Sequence, residues 1–148
     1  MQKCTLALGC FWKPEENFKN KPGIIETEVG YAGGENSKVS YQDVCTGTSG
    51  HAEVVRLTFD DSKISFKKIL DLFFKMHDPT QKDMQYPDIG TQYRSEIFYE
   101  TDKQKQEAYE TLNEFNKKLE GKIQTNISKI KNYCKAEEYH QKYIEKNR

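Results

Sequence analysis

Apolar and polar positions along the chain follow two different periods, and the switches between them outline the elements. Cys4-Thr5-Leu6-Ala7-Leu8-Gly9 is a short apolar run closed by a glycine, which predicts a buried strand feeding a turn. Pro14-Glu15-Glu16-Asn17-Phe18 then opens a helix, because proline suits a first turn and acidic side chains complement its positive end; Pro22-Gly23 stops it. Ile24 to Tyr31 reads as a strand, and Gly33-Gly34-Glu35-Asn36-Ser37 opens a long polar loop. A further strand is predicted over Ala52 to Phe59, where Val54, Val55 and Thr58 are β-branched and Leu57 and Phe59 share a face; Asp60-Asp61-Ser62 ends it. Ile69, Leu70, Phe73, Phe74 and Met76 recur at helical spacing until Asp78-Pro79 breaks the run. Thr80 to Tyr93 is loop, Ser95 to Tyr99 a strand, Thr101 to Lys118 a charged helix, Ile123 to Ile127 a weak strand, and Ala136 to Lys146 a closing helix.

The order strand, helix, strand, strand, helix, strand predicts an α+β fold: a two-layer, ferredoxin-like split βαβ sandwich with helices on one face, extended loops and a C-terminal helix. With 148 residues, no internal repeat and no linker, residues 1–148 are expected to form one domain.

Composition narrows the chemistry. Twenty-three basic side chains balance 23 acidic ones, so no overall field recruits nucleic acid or an anionic membrane. Nine tyrosines and eight phenylalanines make aromatics a major part of the expected core. No segment has the length and hydropathy of a membrane span or a secretory leader, so a cytoplasmic protein is expected. Cys4, Cys10, Cys45 and Cys134 form no CxxC pair, and His51, His77 and His140 lack zinc-finger spacing, so neither a dithiol site nor a bound metal is expected.

Context then singles out one cysteine. Gly9-Cys10-Phe11-Trp12 lies between the first strand and a helix N-terminus, where backbone N–H groups and the helix dipole favour an anion. That setting is expected to lower the thiol pKa and to favour the nucleophilic thiolate. Placement alone leaves a buried structural cysteine as an equal alternative.

Gly9-Cys10-Phe11-Trp12-Lys13-Pro14-Glu15 resembles the GCFWxxE motif of the methionine sulfoxide reductase A family. Val29-Gly30-Tyr31-Ala32-Gly33-Gly34, Tyr41-Gln42-Asp43-Val44-Cys45, Gly50-His51-Ala52-Glu53-Val54-Val55 and His77-Asp78-Pro79-Thr80-Gln81 are similar to further blocks of that family. So are Asp88 to Ser95 and Ala136 to Gln141, and the blocks stand in the family's order over nearly the whole chain. The resemblance implies a cofactor-free reductase of methionine S-sulfoxide, free or within proteins, with no metal, flavin or nicotinamide. It assigns Cys10 as the nucleophile attacking sulfur and Glu53 as the acid, since a sulfoxide sulfur is a poor electrophile until its oxygen is protonated or hydrogen-bonded. It also implies that Tyr41 and Tyr93 donate to that oxygen, that Asp88 belongs to the same pocket, and that Phe11 and Trp12 cradle the S-methyl group. His51 and His140 receive no catalytic step, and Cys4 and Cys45 are expected to be buried.

Attack by Cys10 leaves a sulfenic acid that a second thiol must reduce. Many family members resolve it with cysteines on a glycine-rich tail, whereas this sequence stops at Ile144-Glu145-Lys146-Asn147-Arg148 and is expected to be a short form without that tail. Cys134 is the internal candidate for a resolving residue; the preferred expectation is direct reduction by glutathione with glutaredoxin, or by thioredoxin. A cysteine at position 10 is also compatible with replacement of a native selenocysteine, which some family members carry there. Two other readings use the same features. A thiol peroxidase needs only a reactive cysteine, and a ferredoxin-like RNA-binding module presents aromatics on its sheet. Zero net charge and the absence of an RNP-like strand argue against the second.

Overall fold

The computed structural model describes residues Met1 to Arg148. The chain forms a mixed α+β structure around a six-stranded sheet. β1 (Gln2–Leu8) runs down the middle of the sheet, and its alternation sends Cys4, Leu6 and Leu8 into one face while Thr5 and Ala7 enter the other. α1 (Trp12–Lys19) follows at once and buries Pro14, Glu15 and Phe18 against that first face. β2 (Ile24–Ala32) returns parallel to β1, and β3 (Ala52–Phe59) lies between them, antiparallel to both. Val55, Leu57 and Phe59 of β3 join the first face; Ala52 and Val54 point to the other.

The expected polar loop between β2 and β3 contains a short helix, α2 (Tyr41–Cys45). Its start is set by a capping box, in which the Ser40 hydroxyl accepts from the Asp43 N–H and the Asp43 carboxylate accepts from the Ser40 N–H at 2.9 Å. α3 (Phe66–Met76) is capped by Ser65 and buries Ile69, Leu70, Phe73 and Phe74, the periodic positions of the sequence. A small hairpin, β4 (Met84–Gln85) and β5 (Asp88–Ile89), and a 3₁₀ turn over Thr91–Tyr93 occupy the expected loop. β6 (Ser95–Tyr99) then pairs antiparallel with β1. α4 (Asp102–Lys118), capped by Thr101, buries Gln104, Ala108, Thr111 and Phe115, one stripe of an otherwise charged helix.

The weak strand forms as β7 (Asn126–Lys129), three residues later than the pattern suggested, and pairs parallel with β6. The six strands lie in the order β7-β6-β1-β3-β2-β8, where β8 (Cys134–Lys135) adds a second edge beside β2. α1, α3 and α4 cover one face over a core of 21 buried residues; a smaller cluster of Ala7, Ala32, Ala52, Val54 and Phe98 lies on the other, under Ile130 and Tyr133. No helix is long and apolar enough to cross a membrane.

The closing helix does not form as one element. Ala136 to Lys146 is instead an irregular segment with a 3₁₀ turn at Glu138–His140 and a single helical turn, α5 (Tyr143–Lys146), after Lys142 at φ 50°. Long-range bonds outcompete the local helix. The Gln141 amide accepts from the Val29 N–H and donates to the Val29 and Ala136 carbonyls, and the Lys142 N–H donates to the buried Glu15 carboxylate at 2.7 Å. These bonds satisfy backbone groups beyond β8 and fasten the segment over α1.

Candidate active site

Cys10 sits where β1 gives way to α1. Gly9 makes the turn at φ 93°, a left-handed conformation suited to glycine, and a Cβ there would lie 3.0 Å from the Gln85 side chain. The helix N-terminus acts on the sulfur as expected, since the Trp12 N–H hydrogen-bonds to it and lowers its pKa. The net outcome is the reverse of the expected one. Burial is the larger influence, the carboxyls of Glu53 and Asp88 act with it, and together they push the thiol up to about 12. In the unliganded site Cys10 is therefore a thiol.

Glu53 lies on β3 in the same alternation as Val55 and Leu57, so its carboxyl enters the helix-covered face instead of solvent. It is 2% exposed, and one oxygen accepts from the Phe11 N–H at 3.2 Å. Burial raises its pKa to about 7, the Phe11 N–H works against the shift, and the Asp88 charge adds to it. A proton is thus available at neutral pH on Glu53, which is bonded to the backbone N–H of the residue after Cys10.

Two phenols complete the polar side. Tyr93 follows the hairpin and is pushed up to about 12, by burial first and then by the charges of Glu53, Cys45, Asp88 and Cys10. Tyr41 opens α2 and is raised further, by burial, by contact with Cys45 and by the Glu53 charge. Both hydroxyls keep their protons. The structure thus brings Cys10, Glu53, Tyr41, Tyr93 and Asp88 of β5 into one electrostatic neighbourhood.

The apolar side is built from Phe11 and Trp12 and is held from the far end of the chain. Phe11 is 1% exposed, with its ring 5.7 Å from Tyr31 and 5.2 Å from His140. Trp12 stacks on Tyr143 at 3.8 Å and 9°, and its indole N–H donates to His140 Nδ1 at 3.1 Å. Nδ1 is then an acceptor, so the neutral ring carries its proton on Nε2. Burial lowers the His140 pKa, with the Glu137 charge opposing, and the ring lies 4.5 Å from Tyr41. Glu137 accepts from the Tyr31 hydroxyl at 2.8 Å and from the Tyr41 N–H at 2.9 Å, fixing the start of α2.

Glu137, His140 and Tyr143 were not among the expected site residues. The signal for Glu137 and His140 was the Ala136 to Gln141 block itself, which combines acids, an aromatic and a histidine; Tyr143 lies two residues beyond it. Cys4 is fully buried as expected, and burial raises its pKa. Cys45 departs from expectation, being exposed at the end of α2. Cys134 is half-buried on β8, its thiol 3.6 Å from the Val39 carbonyl. It pairs with Tyr31, which pairs with Glu53 of β3, the neighbour of β1. Three strand spacings, ~14 Å, thus separate Cys134 from the end of β1, against the ~7 Å between Cα atoms that a disulfide spans.

A family model described as peptide methionine sulfoxide reductase matches residues 2–148. The chain belongs to the peptide methionine sulfoxide reductase family. It is an oxidoreductase that reduces methionine sulfoxide. The peptide methionine sulfoxide reductase MsrA of Pelagibacter ubique (strain HTCC1062) is 54% identical over 146 residues, covering 99% of this chain and 99% of that one. The crystal structure of Mxr1 from Saccharomyces cerevisiae in reduced form superposes with a TM-score of 0.95 at 42% identity, covering 99% of this chain and 85% of that one. A structure of Mxr1 in complex with Trx2 matches with a TM-score of 0.69 at 28% identity, over 96% of this chain and 84% of that one.

Proposed function

We propose that Cys10 and Glu53 act as a nucleophile and proton-donor pair on a methionine S-sulfoxide, free or within a peptide, bound with its S-methyl group against Phe11 and Trp12. The observation that carries this reading is the Glu53 carboxyl, titrating at about 7 inside the same pocket as the Cys10 thiol. Cys10 Sγ bonds to the sulfoxide sulfur as Glu53 protonates the oxygen; the S–O bond breaks, the oxygen bonds to Sγ as the Sγ–S bond breaks, and methionine leaves with that bond's electron pair, so the oxygen ends on Cys10 as a sulfenic acid. The thiol proton returns to the carboxylate. Cys10–SH and the sulfoxide therefore give Cys10–SOH and the thioether, and the carboxyl only relays a proton. Tyr41 and Tyr93 donate to the oxygen throughout, a role supported by hydroxyls that stay protonated. Asp88 contacts the remainder of the substrate from the hairpin.

The sulfenic acid is reduced by an external thiol. Reading Cys10 as its own cycle is supported by the burial of Cys4 and the distance to Cys134. The Mxr1–Trx2 complex supports thioredoxin as one reductant class, and glutathione with glutaredoxin is the second. Both belong to a reducing compartment such as the cytoplasm. The sheet is read as a ferredoxin-like split βαβ unit extended by two edge strands, which β3 lying between the parallel β1 and β2 supports.

Cys10→Ser tests the assignment. It is expected to abolish methionine formation, and intact mass after one equivalent of substrate without reductant is expected to show one added oxygen on the wild type. Retained activity in the serine variant, or a loss of two hydrogens with a Cys10 disulfide peptide, overturns the proposal.

A further inference from the structure

Cys10 lines a cavity of about 220 Å³ between α1 and the β4–β5 hairpin, walled by Lys13, Asn17, Gln85, Tyr86 and by Asp88, which it shares with the substrate side. None of Glu53, Phe11, Trp12, Tyr41 or Tyr93 lines it. We propose that this cavity admits a small anionic thiol, of the glutathione class, to the Cys10 sulfenic acid. The inference rests on the reading of Cys10 as the sulfoxide-reducing nucleophile.

Displacement at divalent sulfur is in-line: the entering sulfur approaches opposite the oxygen that leaves. When the Sγ–O bond points at Glu53 and the two tyrosines, the entering thiolate must come from a side that those residues do not occupy, and none of them lines this cavity. Its polar walls set the charge. Lys13 and Asn17 are exposed on the α1 side, and the Lys13 ammonium belongs to none of the chain's ion pairs. Gln85 is held in place by Asp78, accepting from its N–H at 3.1 Å and donating to its carbonyl at 2.5 Å, so it shapes the wall with one amide N–H to spare. Asp88 closes the hairpin side and repels an anion there. A carboxylate-bearing thiol is therefore drawn in with its anionic end toward Lys13 and Asn17.

The step balances with two thiols as reductant. The first thiolate forms an S–S bond to Cys10 Sγ as the Sγ–O bond breaks, and the oxygen leaves as water with a proton from the Glu53 carboxyl. A second thiolate attacks the outer sulfur, releasing Cys10 thiolate and a symmetrical disulfide, so two thiols supply two electrons.

The two half-reactions can be read separately. Methionine released in a single turnover without thiol reports the sulfoxide side, and decay of the preformed sulfenic acid with anionic glutathione, neutral 2-mercaptoethanol or cationic cysteamine reports the other. Lys13→Glu is expected to slow glutathione by about 10-fold, to speed cysteamine, and to leave 2-mercaptoethanol and the methionine burst within twofold. Lys13→Arg should restore the wild-type order. Asn17→Trp, which fills the cavity, is expected to slow all three thiols with the burst intact. Equal changes for the three thiols in Lys13→Glu, an unaffected glutathione rate, or a burst that falls together with the thiol rates in Asn17→Trp overturns the proposal. Absence of any burst in the wild type would instead count against Cys10 as the nucleophile.

Discussion

Two carboxyls flank the buried ring of Tyr31 and end with opposite protonation. Glu53, paired across the strands with Tyr31, receives one N–H, from Phe11, and burial lifts its pKa to about 7. Burial acts upward on Glu137 as well, yet the N–H of Tyr41 and the hydroxyl of Tyr31 outweigh it and hold that carboxyl below the usual range. The contrast lies in burial and in the donors each receives: a fully buried carboxyl with one donor keeps a proton it can give away, while a half-buried, well-hydrogen-bonded one becomes a fixed anion that positions its donors. One is suited to catalysis, the other to holding the phenol walls in place.

The sharpest way to break this comparison is to remove the transferable proton. Glu53→Gln is expected to slow single-turnover methionine formation by ~10²-fold or more, the scale of general acid catalysis. In the wild type the reacting state holds a proton on both the Cys10 thiol and the Glu53 carboxyl, so the rate should be full below about 7 and fall as pH rises through it. A wild-type rate that rises through neutrality, or a glutamine variant with unchanged turnover, would remove Glu53 as the acid.

Stability offers a second comparison, with opposite signs for the two residues. The folded Glu53 pKa is raised, so its favourable contribution is full below the ordinary value near 4.5 and is lost as pH rises through about 7. Glu53→Gln should therefore match the wild type near pH 4 and become more stable than it at pH 8, by roughly 2–3 kcal/mol in denaturant unfolding. Glu137 is depressed, so its contribution is present above the ordinary carboxylate value and lost as pH falls through its lowered folded value. Glu137→Gln should destabilise at neutral pH, by about 1–2 kcal/mol, and the penalty should shrink on acidification. Equal pH dependence in the two variants would contradict the contrast. The smallest expected effects belong to the donors themselves: Tyr41→Phe and Tyr93→Phe should each cost less than Glu53→Gln, on the order of 10-fold in the sulfoxide step, while binding of a methyl-bearing substrate analogue changes little.

The order of the main strands and helices was legible in the chain because it follows from short-range patterning. A short apolar run closed by Gly9 wrote β1, the alternation of Leu57 and Phe59 wrote β3, a 3.6-residue stripe wrote α3, and Pro14 with Pro22-Gly23 bracketed α1. α2 was also written, in the Ser40 and Asp43 capping pair, though a polar loop masked it. The one-residue alternation of β3 was enough to turn Glu53 inward with Val55, and the GCFW run was enough to set a cysteine between strand and helix. What the chain's local pattern could not decide was every property that depends on who the neighbours are. The thiol's pKa is set less by the adjacent helix than by burial and by carboxyls brought from β3 and the hairpin, which reverses the shift expected of a helix N-terminus. The segment after Ala136 had a helical composition, and it gave up the helix because Gln141, Glu137 and His140 find partners 96 to 128 residues away, at Val29, Tyr31, Tyr41 and Trp12. Local propensity is worth tenths of a kcal/mol per residue, whereas buried hydrogen bonds and desolvated charges are worth ~1 kcal/mol or more each, so wherever the two compete the tertiary contacts determine the outcome.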